Sequence, residues 1–268
     1  MSRIRVKTIA LPAEHGGWSF LFEPILLGLL AAPSLAGTLL SASAVCVFLV
    51  RQPLRVWVTG AERLALSPRR RWALALTAAY GLVASATLVA GISIAGTTPL
   101  WALAFCGPLF VVYVLYDTAK RSRRLLAEVA GPLGLAGSAP ALALAGGMTP
   151  AEAAALWVLV AARAVPSVLY VRAMLRRLRG ESASGPAVVA WHAGFFGVGV
   201  VLSAAGAVPN TAPAALLVLL LRAVWGLSGR SKATRATQVG VLEILYGAVY
   251  ALIVAGGYRG NAWRGGAL

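Results

Sequence analysis

The chain has 268 residues, 59% of them hydrophobic, and carries 24 Lys and Arg against 8 Asp and Glu. A mean hydropathy of +0.81 excludes an ordinary soluble domain, so the net charge of +16 does not read as a nucleic-acid signal. The two cysteines, Cys46 and Cys106, sit in separate apolar runs; they suggest neither a disulfide framework nor a zinc site and read as small core residues.

A hydrocarbon core of ~30 Å is crossed by ~20 mostly apolar residues. Nine segments meet that requirement, at about 18–32, 35–50, 72–95, 100–116, 125–145, 151–174, 186–205, 211–227 and 238–256. They predict an all-α, polytopic transmembrane bundle of about nine helices, with residues 1–268 forming a single transmembrane domain. Strands are excluded because an open sheet edge has no hydrogen-bond partner in lipid. Basic Met1–Lys7 and the Ser34-Leu35-Ala36 run have the outline of a signal peptide and its cleavage site. Glu23 and Pro24 interrupt that would-be apolar region, so the first segment is expected to stay as a helix.

Twenty of the 24 basic residues fall in every second gap: the N-terminal arm, 51–71, 118–124, 172–180 and 228–236. The intervening gaps, near Pro33, 97–99, 146–150 and 206–213, hold none. This is the positive-inside pattern. It predicts a bacterial cytoplasmic (inner) membrane protein, N-terminus in the cytoplasm and C-terminus outside. Basic loops beside anionic lipid headgroups contribute roughly 1 kcal/mol per Lys or Arg. The small-residue runs Gly131–Gly137 and Gly194–Gly199 suit close helix approach, and Trp72, Trp101, Trp157 and Trp191 suit an interfacial belt.

Charges inside spanning segments are costly and usually face a cavity or a partner. Glu23, Asp117, Glu128, Arg163, Arg222 and Glu243 lie in or at the ends of the segments, with His192 early in the seventh. By direction of traverse, all fall in the basic half or near the midplane. The set predicts a polar pocket opening toward the cytoplasm beneath an apolar chamber, with mutual neutralisation as structural ion pairs the competing reading. At the expected mouth lie Glu14 and His15 with two glycines, as candidate proton-transfer groups, then the Arg51/Arg55 pair and the Asp117, Lys120, Arg121 run. Arg163, Ser167, Tyr170 and Arg177 share one helical face if Pro166 bends it little. Forked guanidiniums suit phosphate or carboxylate capture.

Pro12-Ala-Glu14-His15-Gly-Gly-Trp18, Arg51–Leu54 and Glu243 resemble the YwiC-like family of bacterial membrane proteins over most of the chain. A more distant resemblance, carried by Tyr116–Arg121 and Glu128–Gly137, is to the UbiA-type intramembrane prenyltransferases. It implies a nine-helix bundle with a cytoplasm-facing cavity beneath a lipid-tail chamber. The aspartate-rich motifs of those enzymes are missing: Arg51, Arg55 and Glu62 stand at the first, and Arg163, Ser167, Tyr170 and Arg172 at the second. No carboxylate cage for Mg²⁺ is visible, so no metal or cofactor is expected. Three functions follow as expectations. One is a metal-independent, UbiA-related enzyme or binder of an isoprenoid or phospholipid-like anion, its head on Arg51, Arg55, Arg163 and Arg172. The others are a small-anion or metabolite transporter and a non-catalytic membrane assembly factor. Oligomeric state is left open.

Overall fold

A computed structural model describes residues 6–12, 15–59, 67–119, 121, 123–228 and 235–260. Among these residues every regular element is an α-helix: α1 (Val6–Ala10), α2 (His15–Ala31), α3 (Leu35–Thr59), α4 (Pro68–Ala95), α5 (Thr98–Thr118), α6 (Leu125–Leu135), α7 (Ser138–Ala145), α8 (Pro150–Leu178), α9 (Gly185–Ala204), α10 (Thr211–Leu227) and α11 (Ala236–Arg259). The nine expected spans are all helical. The fifth is broken at Ala136–Gly137 into α6 and α7, and α1 is a short extra piece resting on α3 and α4. Among the described residues seven spans are long and apolar enough to cross a bilayer, so the chain is an integral, multi-pass membrane protein. The apolar stretches Gly17–Ala31 in α2 and Thr211–Leu227 in α10 are shorter.

Several helices run past the expected boundaries into the basic stretches. Arg51 and Arg55 lie within α3, which continues through the buried Pro53 to Thr59. At 29 residues, α8 is about 44 Å long, so Arg172, Arg176 and Arg177 are helical and not in a loop. Hydropathy falls at the first arginines, but backbone hydrogen bonding has no reason to stop there.

Local chemistry fixes the starts. Ser67 accepts the Arg70 amide ahead of Pro68, and Thr149 and Glu152 form a reciprocal capping box opening α8. The chain reverses through Gly96 (φ 73°) and Gly147 (φ 90°), a backbone region that favours glycine.

The spans form a closed circuit in which each packs on the next, and α11 returns to pack on α2. Within it, α8 touches α6, α7, α9, α10 and α11, and α7 touches α2, α3, α4, α5 and α8; α4, α5 and α9 turn mostly outward. Gly131, Gly134 and Gly137 are the contact face of this break region against α5. A Cβ at these positions would meet Tyr113, Phe110 and Cys106 at 2.9, 3.0 and 2.6 Å. Gly194 and Gly197 instead face open space, and only Gly199 of that run makes a close approach, where a Cβ would strike Leu216 of α10. Trp72, Trp101 and Trp191 are exposed as an interfacial belt requires. Trp157 differs, because its ring packs edge-on against Phe105 and its indole donates to the Leu133 carbonyl at 3.4 Å.

Candidate functional site

Along α8 three layers succeed one another. Toward the uncharged end, Leu156 and Leu159 join Leu27, Leu216, Leu219, Tyr250 and Val254 in the main apolar core. Toward the basic end, Tyr170 and Met174 join Val188, Ala223, Leu227 and Val239. Between them lies a charged layer.

Its centre is Arg163, only 2% exposed. Its Nη2 is 3.3 Å from Glu23 Oε2 on α2 and donates to the Glu243 carbonyl of α11 at 3.1 Å; its Nη1 is 3.5 Å from Glu243 Oε2. The other Glu243 oxygen, Oε1, pairs with Arg222 Nη1 on α10. Arg222 Nη2 donates to Ser167 Oγ at 3.2 Å and lies 3.4 Å from His192 Nε2. Because His192 Nδ1 is 2.9 Å from the Val188 carbonyl, it carries the proton, and Nε2 is left to accept from Arg222. The Arg222 guanidinium also lies 4.0 Å from the Tyr170 ring centroid and 5.4 Å from that of Tyr246. Two carboxylates thus answer two guanidiniums, with Glu243 bridging both.

Two glycines make the arrangement possible. Gly247 is one turn beyond Glu243, and a Cβ there would strike the Glu23 carboxylate and lie 2.9 Å from Arg163 Nη2. Gly226 is one turn beyond Arg222, and a Cβ there would strike the Tyr170 hydroxyl. Tyr250 seals the apolar side, donating to the Leu159 carbonyl at 2.7 Å.

A cleft of about 600 Å³ reaches the cluster from the basic end, lined by Tyr170, Arg222, Glu243, Tyr246, Gln238 and the exposed Trp225 among others. Arg222 Nε is buried without a hydrogen-bond partner, as is Arg163 Nε.

Of the residues expected at a site, the structure gathers Glu23, Arg163, Tyr170, Arg222 and Glu243 into one cluster. Arg51, Arg55, Asp117, Arg121, Glu128 and Arg172 stand apart from it. Arg172, nine residues beyond Arg163 and so on the opposite helical face, pairs with Glu128 and donates to the Arg123 carbonyl at 3.0 Å. Arg51 donates to Tyr113 Oη at 2.6 Å, with its guanidinium 5.5 Å from that ring. Arg55 is exposed one turn further along α3, Asp117 is partly buried in the last turn of α5, and Arg121 is exposed after it. His15 opens α2; Glu14, Glu62 and Lys120 lie outside the described residues. The expected head-group set of Arg51, Arg55, Arg163 and Arg172 is therefore divided, and Arg163 is already neutralised by acids. Arg177 spans to α10, donating to the Leu227 carbonyl at 2.7 Å. With Arg163, Ser167 and Tyr170 it keeps the expected single face toward α10 and α11.

Tyr246, Gly247 and Gly226 were not among the expected residues, though each sits three or four positions after Glu243 or Arg222. That helical spacing was the available signal. Among the described residues no group of three or more His, Cys, Asp or Glu is placed to hold a metal ion.

Residues 11–143 match the family described as YwiC-like protein. The chain belongs to the YwiC-like family. The match contains the Pro12–Trp18 segment, Glu23 and Arg51–Leu54, and it ends within α7. It thus covers about half of this YwiC-like protein, less than the sequence resemblance implied, and Glu243 lies beyond it. No curated protein and no solved structure matches the chain.

Proposed function

We propose that this YwiC-like protein binds an amphipathic ligand with an anionic head in the cleft between α8, α10 and α11, with the basic face in the cytoplasm. The observation that carries the reading is Arg222: it lines the cleft and is buried, yet its Nε has no hydrogen-bond partner. A buried guanidinium with a spare donor is costly unless something accepts from it. Trp225, Val241 and Leu242 line the same cleft and are exposed on the bundle's outer surface, which suits an apolar tail approaching from lipid. The ligand is an isoprenoid or phospholipid-like anion, and a diverged, UbiA-like transferase acting on it remains within this reading. The head would rest on Arg222, Gln238 and Tyr246 in place of the four arginines grouped from sequence.

The test is thermal stabilisation of the purified protein by farnesyl diphosphate, with and without Mg²⁺. A rise in the unfolding midpoint without Mg²⁺, lost in Arg222→Gln, supports the reading. A rise only with Mg²⁺ redirects it toward metal-dependent transferase chemistry, and no rise in either condition sinks it.

A transport reading draws on the break between α6 and α7, since interrupted helices recur at translocation sites. Such sites use paired interruptions, and a single one favours transport less. Accumulation of an organic anion in proteoliposomes would support transport.

A further inference from the structure

We infer that filling the cleft with an anion takes up one proton, bound by Glu243. The inference rests on the binding reading above and adds a coupling to it. It starts from the charge balance. Glu243 on α11 faces Glu23 from α2, Arg163 and Tyr170 from α8, and Arg222 from α10, with Tyr246 and Tyr250 beside it on its own helix. His192 of α9 reaches the group through Arg222 alone and presents its lone pair there. Two negative and two positive charges face each other, so the buried layer has no positive charge to spare.

An anionic head that engages Arg222 adds a third negative charge. A buried charge without a counter-charge costs several kcal/mol, so the layer stays neutral if one carboxylate becomes a carboxylic acid. Glu243 is the carboxylate placed to do so. It lines the cleft, whereas Glu23 is not among the lining residues and pairs with Arg163. The proton comes from water at the basic mouth and bonds to Oε1, the oxygen now paired with Arg222. Arg222 Nη1 then turns to the ligand head, Arg163 keeps Glu23 and the Glu243 carbonyl, and the new O–H donates to the head. One anion and one proton enter together, and the net charge of the layer is unchanged.

The experiment is calorimetric titration of the full chain in detergent with farnesyl sulfonate, whose head keeps a single negative charge across the range used. Paired buffers of different ionisation heat count the protons. Uptake of about one proton per ligand is expected, with the Kd weakening about tenfold per unit between about pH 6 and about pH 8. Glu243→Gln should bind with no proton uptake and a flat Kd, while Glu181→Gln, an exposed acid outside the layer, keeps the uptake. Binding with no uptake by the wild type overturns the inference and leaves the binding reading standing. Uptake that persists in Glu243→Gln overturns it too. No binding of the sulfonate removes the inference; only when farnesyl diphosphate also gives no stabilisation does the binding reading fall with it. If Glu243→Gln does not fold, the wild-type proton count decides.

Discussion

Arg163 is held by two carboxylates and a backbone carbonyl from two other helices, so it cannot be removed alone without leaving buried acids uncompensated. Arg163→Met should lower unfolding stability by about 3–5 kcal/mol, read as the midpoint of thermal unfolding in detergent. Arg69→Ala, at the start of α4 and away from the cluster, should stay within about 0.5 kcal/mol. Equal tolerance of the two would refute a structural dependence on the charged layer. Adding Glu23→Leu to Arg163→Met should recover part of the loss, because an apolar pair replaces an orphaned charge. The exposed pair Arg179–Glu181 behaves differently. Hydrogen bonding to Arg179 holds the Glu181 carboxyl below the ordinary carboxylate range. Its contact is therefore complete above that range and is lost as the pH falls through the lowered value. At neutral pH Glu181→Gln should leave the midpoint unchanged, since a solvated pair is screened. Sequence alone singled out the four charged members of the cluster, because a charge in an apolar run is conspicuous. It paired none of them, because partners 80 residues apart, as Arg163 and Glu243 are, share no local signal.

At the scale of elements, helix ends and glycine faces carry the testable content. Thr149→Ala removes the cap of α8 and should cost about 1 kcal/mol in the same unfolding assay. Gly137→Ala places a Cβ against Cys106 and should cost about 1–3 kcal/mol. Gly194→Ala meets open space and should be neutral, or stabilising by up to about 1 kcal/mol. If both glycine variants behaved alike, the packing face assigned to the α6–α7 break would be wrong. Both glycine runs read alike in the sequence. The circuit separates them, because α5 closes on all three glycines of one, while in the other α10 closes on Gly199 alone and Gly194 and Gly197 face open space.

For the whole molecule, the alternation of basic and uncharged connections predicts an orientation that can be read by labelling. With Cys46 and Cys106 replaced by Ser, Thr97→Cys should react with an impermeant maleimide added outside intact cells, and Glu181→Cys should not. The reverse pattern would overturn the cytoplasmic placement of the cleft. Hydropathy, small residues and charge spacing were enough to determine nine apolar spans and their helical character. They also placed the unusual charges in the basic half or near the midplane. These are local properties: lipid excludes unpaired backbone and penalises buried charge wherever a segment lies. Tertiary structure decided that α11 closes back on α2, that Glu243 bridges Arg163 and Arg222 while Arg172 turns to Glu128, and that Gly247 and Gly226 clear the space for it. Which guanidinium meets which carboxylate depends on helix azimuth and neighbour order, and those are set only when all the spans pack together.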